Sequence, residues 1–312
     1  MIIIGGLVLI SAIVLVFSLF RNEAPITKGR QQHHVEYKEG ITLDIYFPTD
    51  NMSDKSPVLV YVHGGAWIGG SKAAINFNRI NGAINELREN GYTVVCPDYT
   101  LAGNGKSPFP DCIHDICDAL EWVKLNAPKH NFDLDRVGML GESAGGHITM
   151  LTVFADPDVF GMEPLPLEID YVIDIYGPTD LEGIYHSKTV SDLMRTISDW
   201  PENLRSSVDI SRRIFGFNPL EDTLRARQFM TTYSPLSYVR ANNPPTLIIQ
   251  GNKDRLVPYG QSQALAAMLD SVGVENEFHL LDGVDHAFAG ASQTQKDSIQ
   301  KWIVDFVLEV GD

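Results

Sequence analysis

The order of apolar segments predicts an open α/β sheet, mostly parallel, with helices on both faces. Two observations carry the prediction. PVLVYV at 57–62, YVIDI at 171–175 and TLIIQ at 246–250 are short, nearly continuous apolar runs, as strands buried on both faces should be. Segments with helical spacing alternate with such runs, at 76–89, 111–126, 144–154, 260–271 and 293–309. That alternation produces a parallel sheet joined by helical crossovers. Strands at 92–96, 137–140 and 275–281 complete the series. The start of the sheet differs. Residues 35–38 and 41–47 alternate apolar and polar positions around Gly40, which predicts an antiparallel pair at one edge.

One stretch breaks the rhythm. Residues 178–243 lie between two strands and are far longer than an ordinary connection. They carry Tyr185, Met194, Trp200, Phe215, Phe217, Phe229 and Tyr233. Aromatic residues at this density predict a helical cap inserted over the carboxyl edge of the sheet, with Trp200, Phe215 and Phe217 closing a pocket wall. Residues 35–312 thus read as one domain with a cap insertion, preceded by a linker at 22–34.

The chain has 312 residues, a formal net charge of −16 and three cysteines. The acidic balance disfavours nucleic acid as a partner, since phosphate binding needs a basic face. Cys96, Cys112 and Cys117 have no paired or metal-type spacing and read as core or helix thiols. Residues 2–20 carry no charge and Arg21 closes the run. A helix of that length spans about 28 Å, close to a bilayer core. No Lys or Arg precedes the run and no small-residue cleavage site follows it, so residues 1–21 read as a single-span membrane anchor or an uncleaved signal segment. Arg21, Lys28 and Arg30 follow it, which favours the cytoplasmic face for the domain. The Asn51-Met52-Ser53 sequon points to the extracellular side, and that alternative stays open.

The chemistry concentrates on loops that follow strands. Gly141-Glu142-Ser143-Ala144-Gly145 follows a predicted strand and opens a predicted helix. G-x-S-x-G in this context places a serine on a sharp, strained turn with its hydroxyl lifted above the sheet. The helix behind it offers a positive dipole end to developing negative charge. His63-Gly64-Gly65-Ala66-Trp67 follows the strand at 57–62. Successive small residues let backbone N–H groups point at an oxyanion, so Gly65, Ala66 and Ala144 are the candidate donors. His63 reads as a pin for this loop. A serine nucleophile needs a base and an acid that orients it, here in the order Ser, Asp, His. Asp254 lies after the strand at 246–250 and His286 after the strand at 275–281. Neighbouring loops over one sheet edge bring both toward Ser143. Asp180 is the rival acid. His147 falls one turn into the nucleophile helix and reads as packed or locally bonded, and Asp282 and Asp285 sit too near His286 to orient it. No metal-ligand pattern is present and no cofactor is expected.

HGGAW at 63–67, CPDY at 96–99, GESAGG at 141–146, DRLVP at 254–258 and DHAF at 285–288 resemble the HGG-type carboxylesterases of the α/β-hydrolase superfamily. That group includes lipase-like, feruloyl-esterase-like and acetyl-xylan-esterase-like enzymes, kynurenine formamidases and isoprenylcysteine methylesterases. The resemblance covers roughly residues 35–310. It implies the α/β-hydrolase fold, a Ser143–His286–Asp254 triad, an oxyanion hole of Gly65, Ala66 and Ala144, and hydrolysis of small acyl or aryl esters through an acyl-enzyme. A peptidase, amidase or formamidase on the same triad is the alternative, and an inert binding module a remoter one. Ala66 stands where many lipase-like members have a third glycine; its N–H still donates. DRLVP is closer to feruloyl-esterase-like and oligopeptidase-like members, which leaves the substrate class open.

Overall fold

The computed structural model describes residues 26–50, 55–103, 105–201 and 209–310. Its centre is an eight-stranded sheet. The strands are β1 (Gln31–Lys38), β2 (Ile41–Tyr46), β3 (Ser56–Val62), β4 (Thr93–Pro97), β5 (Phe132–Glu142), β6 (Tyr171–Ile175), β7 (Thr246–Gly251) and β8 (Asn276–Leu281). They run in the order β1-β2-β4-β3-β5-β6-β7-β8. β1 and β2 pair antiparallel, β2 meets β4 antiparallel, and every later pairing is parallel. The edge hairpin thus lies where the alternating pattern at 35–47 places it.

Strand alternation divides the core in two. Val58, Val60 and Val62 of β3 point into one cluster, and Leu59 and Tyr61 into the other, because successive side chains leave opposite faces of a strand. The first cluster is closed by helices α2 (Asp111–His130) and α3 (Ala144–Phe154), whose Ile113, Ile116, Ile148 and Leu151 are fully buried. The second is closed by α1 (Asn81–Glu89) and by the C-terminal helix Gln293–Val310, through Ile84, Leu87, Ile299 and Ile303. Each such side chain contributes about 1.5–3 kcal/mol by burial. β3, β6 and β7 are buried at every position, which is why they read as continuous apolar runs.

Several boundaries differ from the sequence pattern. The helix expected at 76–89 begins at Asn81. β1 begins at Gln31, inside the expected linker; its first residues are polar because they sit on an edge, where Gln31 pairs with Tyr46 and Gln32 with Ile45. β5 starts at Phe132 rather than near Val137, since Ser56 and Pro57 of β3 pair with Phe132 and Asp133 across an irregularity in the register. α2 continues past Asn126 through Pro128 to His130. A proline in the last turn removes one bond only, and Asn131 in the left-handed region closes the helix by donating its N–H to Ala127 O.

The insertion forms helices α4 (Leu181–Tyr185), α5 (Lys188–Ile197), α6 (Ile210–Phe215) and α7 (Thr223–Thr232). Its two ends are tied together at the base. Leu236 N donates to Thr179 O at 3.1 Å, and Leu181 N donates to Ser234 Oγ at 2.9 Å. Gln261, in the helix α8 (Gly260–Val272) that follows β7, receives the Thr179 N–H on Oε1 at 2.8 Å and donates to Asp180 O at 2.8 Å. The C-terminal helix Gln293–Val310 is then α9.

The expected membrane attachment is corrected. Among the described residues, no helix is long and apolar enough to cross a membrane. The two long helices α2 and α9 each bury one face and carry charges such as Asp118 and Lys124, or Lys301 and Asp305, on the other. The run at 2–20, on which the single-span anchor and the cytoplasmic-face location rested, lies outside the described residues, as does the sequon at 51–53. A membrane-anchored location therefore has no support.

Candidate active site

Ser143 sits between the end of β5 and the first residue of α3 with φ 53° and ψ −120°. A left-handed backbone at a residue with a side chain is strained, and the neighbours make it possible. A Cβ on Gly141 would stand 2.3 Å from Gly145 O, and one on Gly145 would stand 2.1 Å from Val62 O. Strand, turn and helix pack so closely that only glycine fits on either side of the serine. Ser143 N donates to Ile175 O at 2.8 Å, which fixes the turn to β6.

His286 stands on a short turn after β8, with its Nε2 3.0 Å from Ser143 Oγ and its Nδ1 2.7 Å from Asp254 Oδ2. A carboxylate only accepts, so Nδ1 carries the proton and Nε2 is left to accept from the serine hydroxyl. Asp254 is held on all sides. Its Oδ1 accepts the N–H groups of Leu256 and Val257, both at 2.8 Å, and Oδ2 also accepts from Gln250 Nε2 at 2.9 Å. This leaves the carboxylate one orientation.

The loop after β3 runs past the serine. Gly65 has φ 133°, and a Cβ there would stand 2.0 Å from Gly69 O. Ala66 and Trp67 are both left-handed, with φ of 52° and 58°. His63 is buried beneath the loop, its Nδ1 2.7 Å from Gly64 O and its ring stacked on Tyr99 at 4.2 Å. Burial pushes its imidazole down to about 4, so it is neutral and serves as the expected pin.

Ala66, Ser143 and His286 open onto one cavity of about 190 Å³. The insertion supplies most of its side wall, through Leu181, Val190, Leu193, Ile214 and Phe215. The expected wall is corrected in part. Phe215 lines the cavity, Phe217 packs behind it at a ring distance of 5.5 Å, and Trp200 is 40% exposed and stands away from it. The aliphatic residues of α5 take their place. Trp200 lies at the end of the helical pattern, where periodicity no longer fixes a face.

The rival residues have other work. Asp180 caps α4, accepting the Glu182 N–H at 3.0 Å. Asp285 accepts from Arg255 Nε at 2.7 Å and from His286 N at 2.8 Å. His147 packs against Trp67 and Phe109, and its Nε2 lies 2.7 Å from Tyr233 O in the insertion. Sequence reasoning missed Gln250, which bonds Asp254, and Glu142, whose carboxylate is buried among Tyr61, Asn78 and Tyr176. Polar residues at the carboxyl ends of apolar strands were the available signal for both. It also missed Asp174 inside β6, a fully buried carboxyl pushed up to about 8 by burial, which accepts the Gly177 N–H at 3.0 Å.

The BD-FAE family model matches residues 43–269, from β2 through most of α8. The chain belongs to the BD-FAE family. The match takes in Ser143 and Asp254 and stops short of His286. This BD-FAE chain is 28% identical over 251 residues to esterase LipC of Mycobacterium tuberculosis, covering 79% of this chain and 56% of LipC. It spans about half the length of the curated relatives it matches. Among solved structures, esterase B from Lactobacillus rhamnosis superposes with a TM-score of 0.71 at 18% identity, over 98% of this chain and 93% of that one. A truncated carbohydrate esterase from gut microbiota does so with a TM-score of 0.70 at 21% identity, over 92% and 100%. At these identities the likeness is one of fold. The BD-FAE chain has the α/β-hydrolase fold, with its antiparallel strand pair at one edge of a mostly parallel sheet.

Proposed function

We propose that the protein is a serine carboxylesterase that hydrolyses small acyl or aryl esters through an acyl-enzyme. The observation that carries the reading is the continuous chain of hydrogen bonds from Ser143 Oγ through His286 to Asp254, at 3.0 and 2.7 Å, opening onto an apolar cavity. The esterase relatives agree with it. In this mechanism Ser143 Oγ attacks the ester carbonyl carbon while His286 Nε2 takes its proton. Asp254 stabilises the imidazolium and holds the tautomer. The carbonyl oxygen, now an anion, accepts from the N–H groups of Gly65, Ala66 and Ala144. His286 returns the proton to the departing alcohol. Water then enters, loses a proton to His286, and releases the acid from Ser143.

The cavity sets the acyl size. Its volume of about 190 Å³ holds on the order of six groups the size of a water. Each methylene that fits contributes about 0.8 kcal/mol. Each that does not must displace packed atoms at about 1–3 kcal/mol. The test is kcat/KM across esters with acyl chains of about two to sixteen carbons, together with labelling by a fluorophosphonate. The expected profile rises over short chains and then falls sharply. Absence of turnover and labelling would remove the reading, and a profile still climbing at the longest chains would replace the closed pocket by an open groove.

A further inference from the structure

Glu142 immediately precedes the serine and is buried, yet no cation bonds to it among the described residues. Its partners are all neutral donors. Tyr176 Oη donates to Oε1 at 2.5 Å, and Oε2 accepts from Tyr61 Oη at 2.5 Å and from Asn78 Nδ2 at 2.8 Å. Burial, reinforced by the Glu142 charge, pushes both tyrosine hydroxyls well above their usual range, so they stay protonated and donate. An acceptor-only group with an oxygen on either side fits this cradle; an amide would turn an N–H toward one of the hydroxyls.

The cradle leads to the base. The Tyr176 ring lies 4.7 Å from the His286 ring and 4.9 Å from the Phe288 ring. Tyr176 itself is left-handed, with φ 45°, and is held there by N–H donation to Ile249 O at 3.0 Å. Strained residues persist where their surroundings over-determine them. Beyond the histidine, Arg79 Nη1 donates to Ala287 O at 2.7 Å, which pins the left-handed residue that follows His286.

We infer that Glu142 is a positioning residue for His286: it anchors Tyr176, whose ring seats the imidazole, and it places a fixed negative charge behind that ring. The inference rests on the esterase reading for its consequence in turnover. The other charged groups around His286 are already engaged. Asp254 bonds Nδ1, Asp285 is paired with Arg255, and Arg79 is turned to the Ala287 carbonyl. Removing the Glu142 carboxylate changes the field at the imidazole without breaking a bond to His286 or to the turn that carries it.

The experiment uses the full chain and two readouts. The first is the NMR titration of the His286 ring in wild type, Glu142→Gln, Glu142→Asp and Tyr176→Phe. It needs no substrate. Losing a nearby negative charge disfavours imidazolium, so the Glu142→Gln midpoint moves down by about half a pH unit or more, while Glu142→Asp stays near wild type. The second is ester turnover, where Glu142→Gln and Tyr176→Phe lower kcat on the order of tenfold with KM little changed, the size of a lost charge-assisted hydrogen bond. An unmoved midpoint in Glu142→Gln with kcat preserved overturns the inference. A fall in kcat shared equally by Glu142→Asp, with no movement of the midpoint, makes Glu142 merely structural and overturns it too. If wild type shows no turnover, the esterase reading fails, and the titration still decides the positioning role.

Discussion

Beneath the cavity, the side chains that meet at Ser143 come from the carboxyl ends of strands, and their polar atoms are tied down. Asp254 accepts four hydrogen bonds, Glu142 accepts three, and the serine turn is bonded to β6. Across the cavity, α5 is held differently. Val190, Leu193 and Met194 face inward, Ile197 is its one buried residue, and its outer side carries the exposed group Lys188, Asp192 and Arg195, worth little in water. The base of the site is specified by backbone geometry and hydrogen bonding that few residues satisfy. The wall is specified by apolar area, which many residues supply. On the proposed esterase reading, substitutions in the base should therefore change the rate of ester turnover, and substitutions in the wall the choice of ester.

The sharpest way to break this contrast is at the base. Ser143→Ala is expected to lower kcat/KM by about 10⁴-fold or more, because nucleophile and base act as a unit, with an unchanged unfolding midpoint. Asp254→Asn comes next. An amide donates as well as accepts and selects the wrong imidazole tautomer, so a loss of about 10³–10⁴-fold is expected. Asp180→Asn, which keeps a cap on α4, should leave kcat/KM within about twofold, since asparagine caps as well as aspartate. Steady-state kinetics on the three variants decide the order, and equal losses at Asp180 and Asp254 would erase the distinction between the acid and its rival.

The same contrast explains what the sequence revealed. Ser143, Asp254 and His286 stand out because a strained turn demands glycines at 141 and 145, and because open sheets collect chemistry on the loops after their strands. The sheet itself was readable from β3, β6 and β7, buried at every position. The wall was readable only as a class. Composition announced an insertion, but Phe217 and Trp200 face elsewhere, since facing is decided by tertiary packing that no local period records. Glu142 and Gln250 were hidden for another reason: their partners Tyr61, Asn78 and Tyr176, and Asp254 and Ser262, come together only in the folded sheet.

The wall sharpens the comparison from the other side. Phe215→Ala opens the cavity beside α6 and should move the preferred acyl chain longer by about two or three carbons, while turnover of the shortest ester falls no more than about tenfold. Leu193→Trp fills the cavity and should move the optimum shorter. Chain-length profiles of kcat/KM measure both. A uniform loss at every chain length would mean that the wall also holds the catalytic groups in place.

At neutral pH only a small effect on turnover is expected from His147, the side chain that joins the base to the wall. It lies on α3, one turn behind Ser143, and reaches Tyr233 O at 2.7 Å. Its ring is enclosed by Trp67 and Phe109 at 5.0 and 5.5 Å. Burial pushes the imidazole down to about 3, so the folded protein holds it neutral, with Nε2–H donating to the carbonyl. A histidine depressed in this way contributes stability that is fully present above its ordinary value near 6.5 and is lost as pH falls toward 3, because the unfolded chain takes up the proton first. His63, depressed to about 4, acts in the same direction. Replacing His147 with phenylalanine removes both the titration and the tie to Tyr233. Stability at pH 7 should fall by about 1–2 kcal/mol, with turnover of short esters within about threefold of wild type. Between pH 6.5 and 4.5 the wild type should lose about 2–3 kcal/mol more than the variant, so the two stability curves converge and then cross. Urea unfolding at a series of pH values reads this directly. Parallel curves would mean that folding does not shift the His147 titration, and the depression by burial would then be wrong.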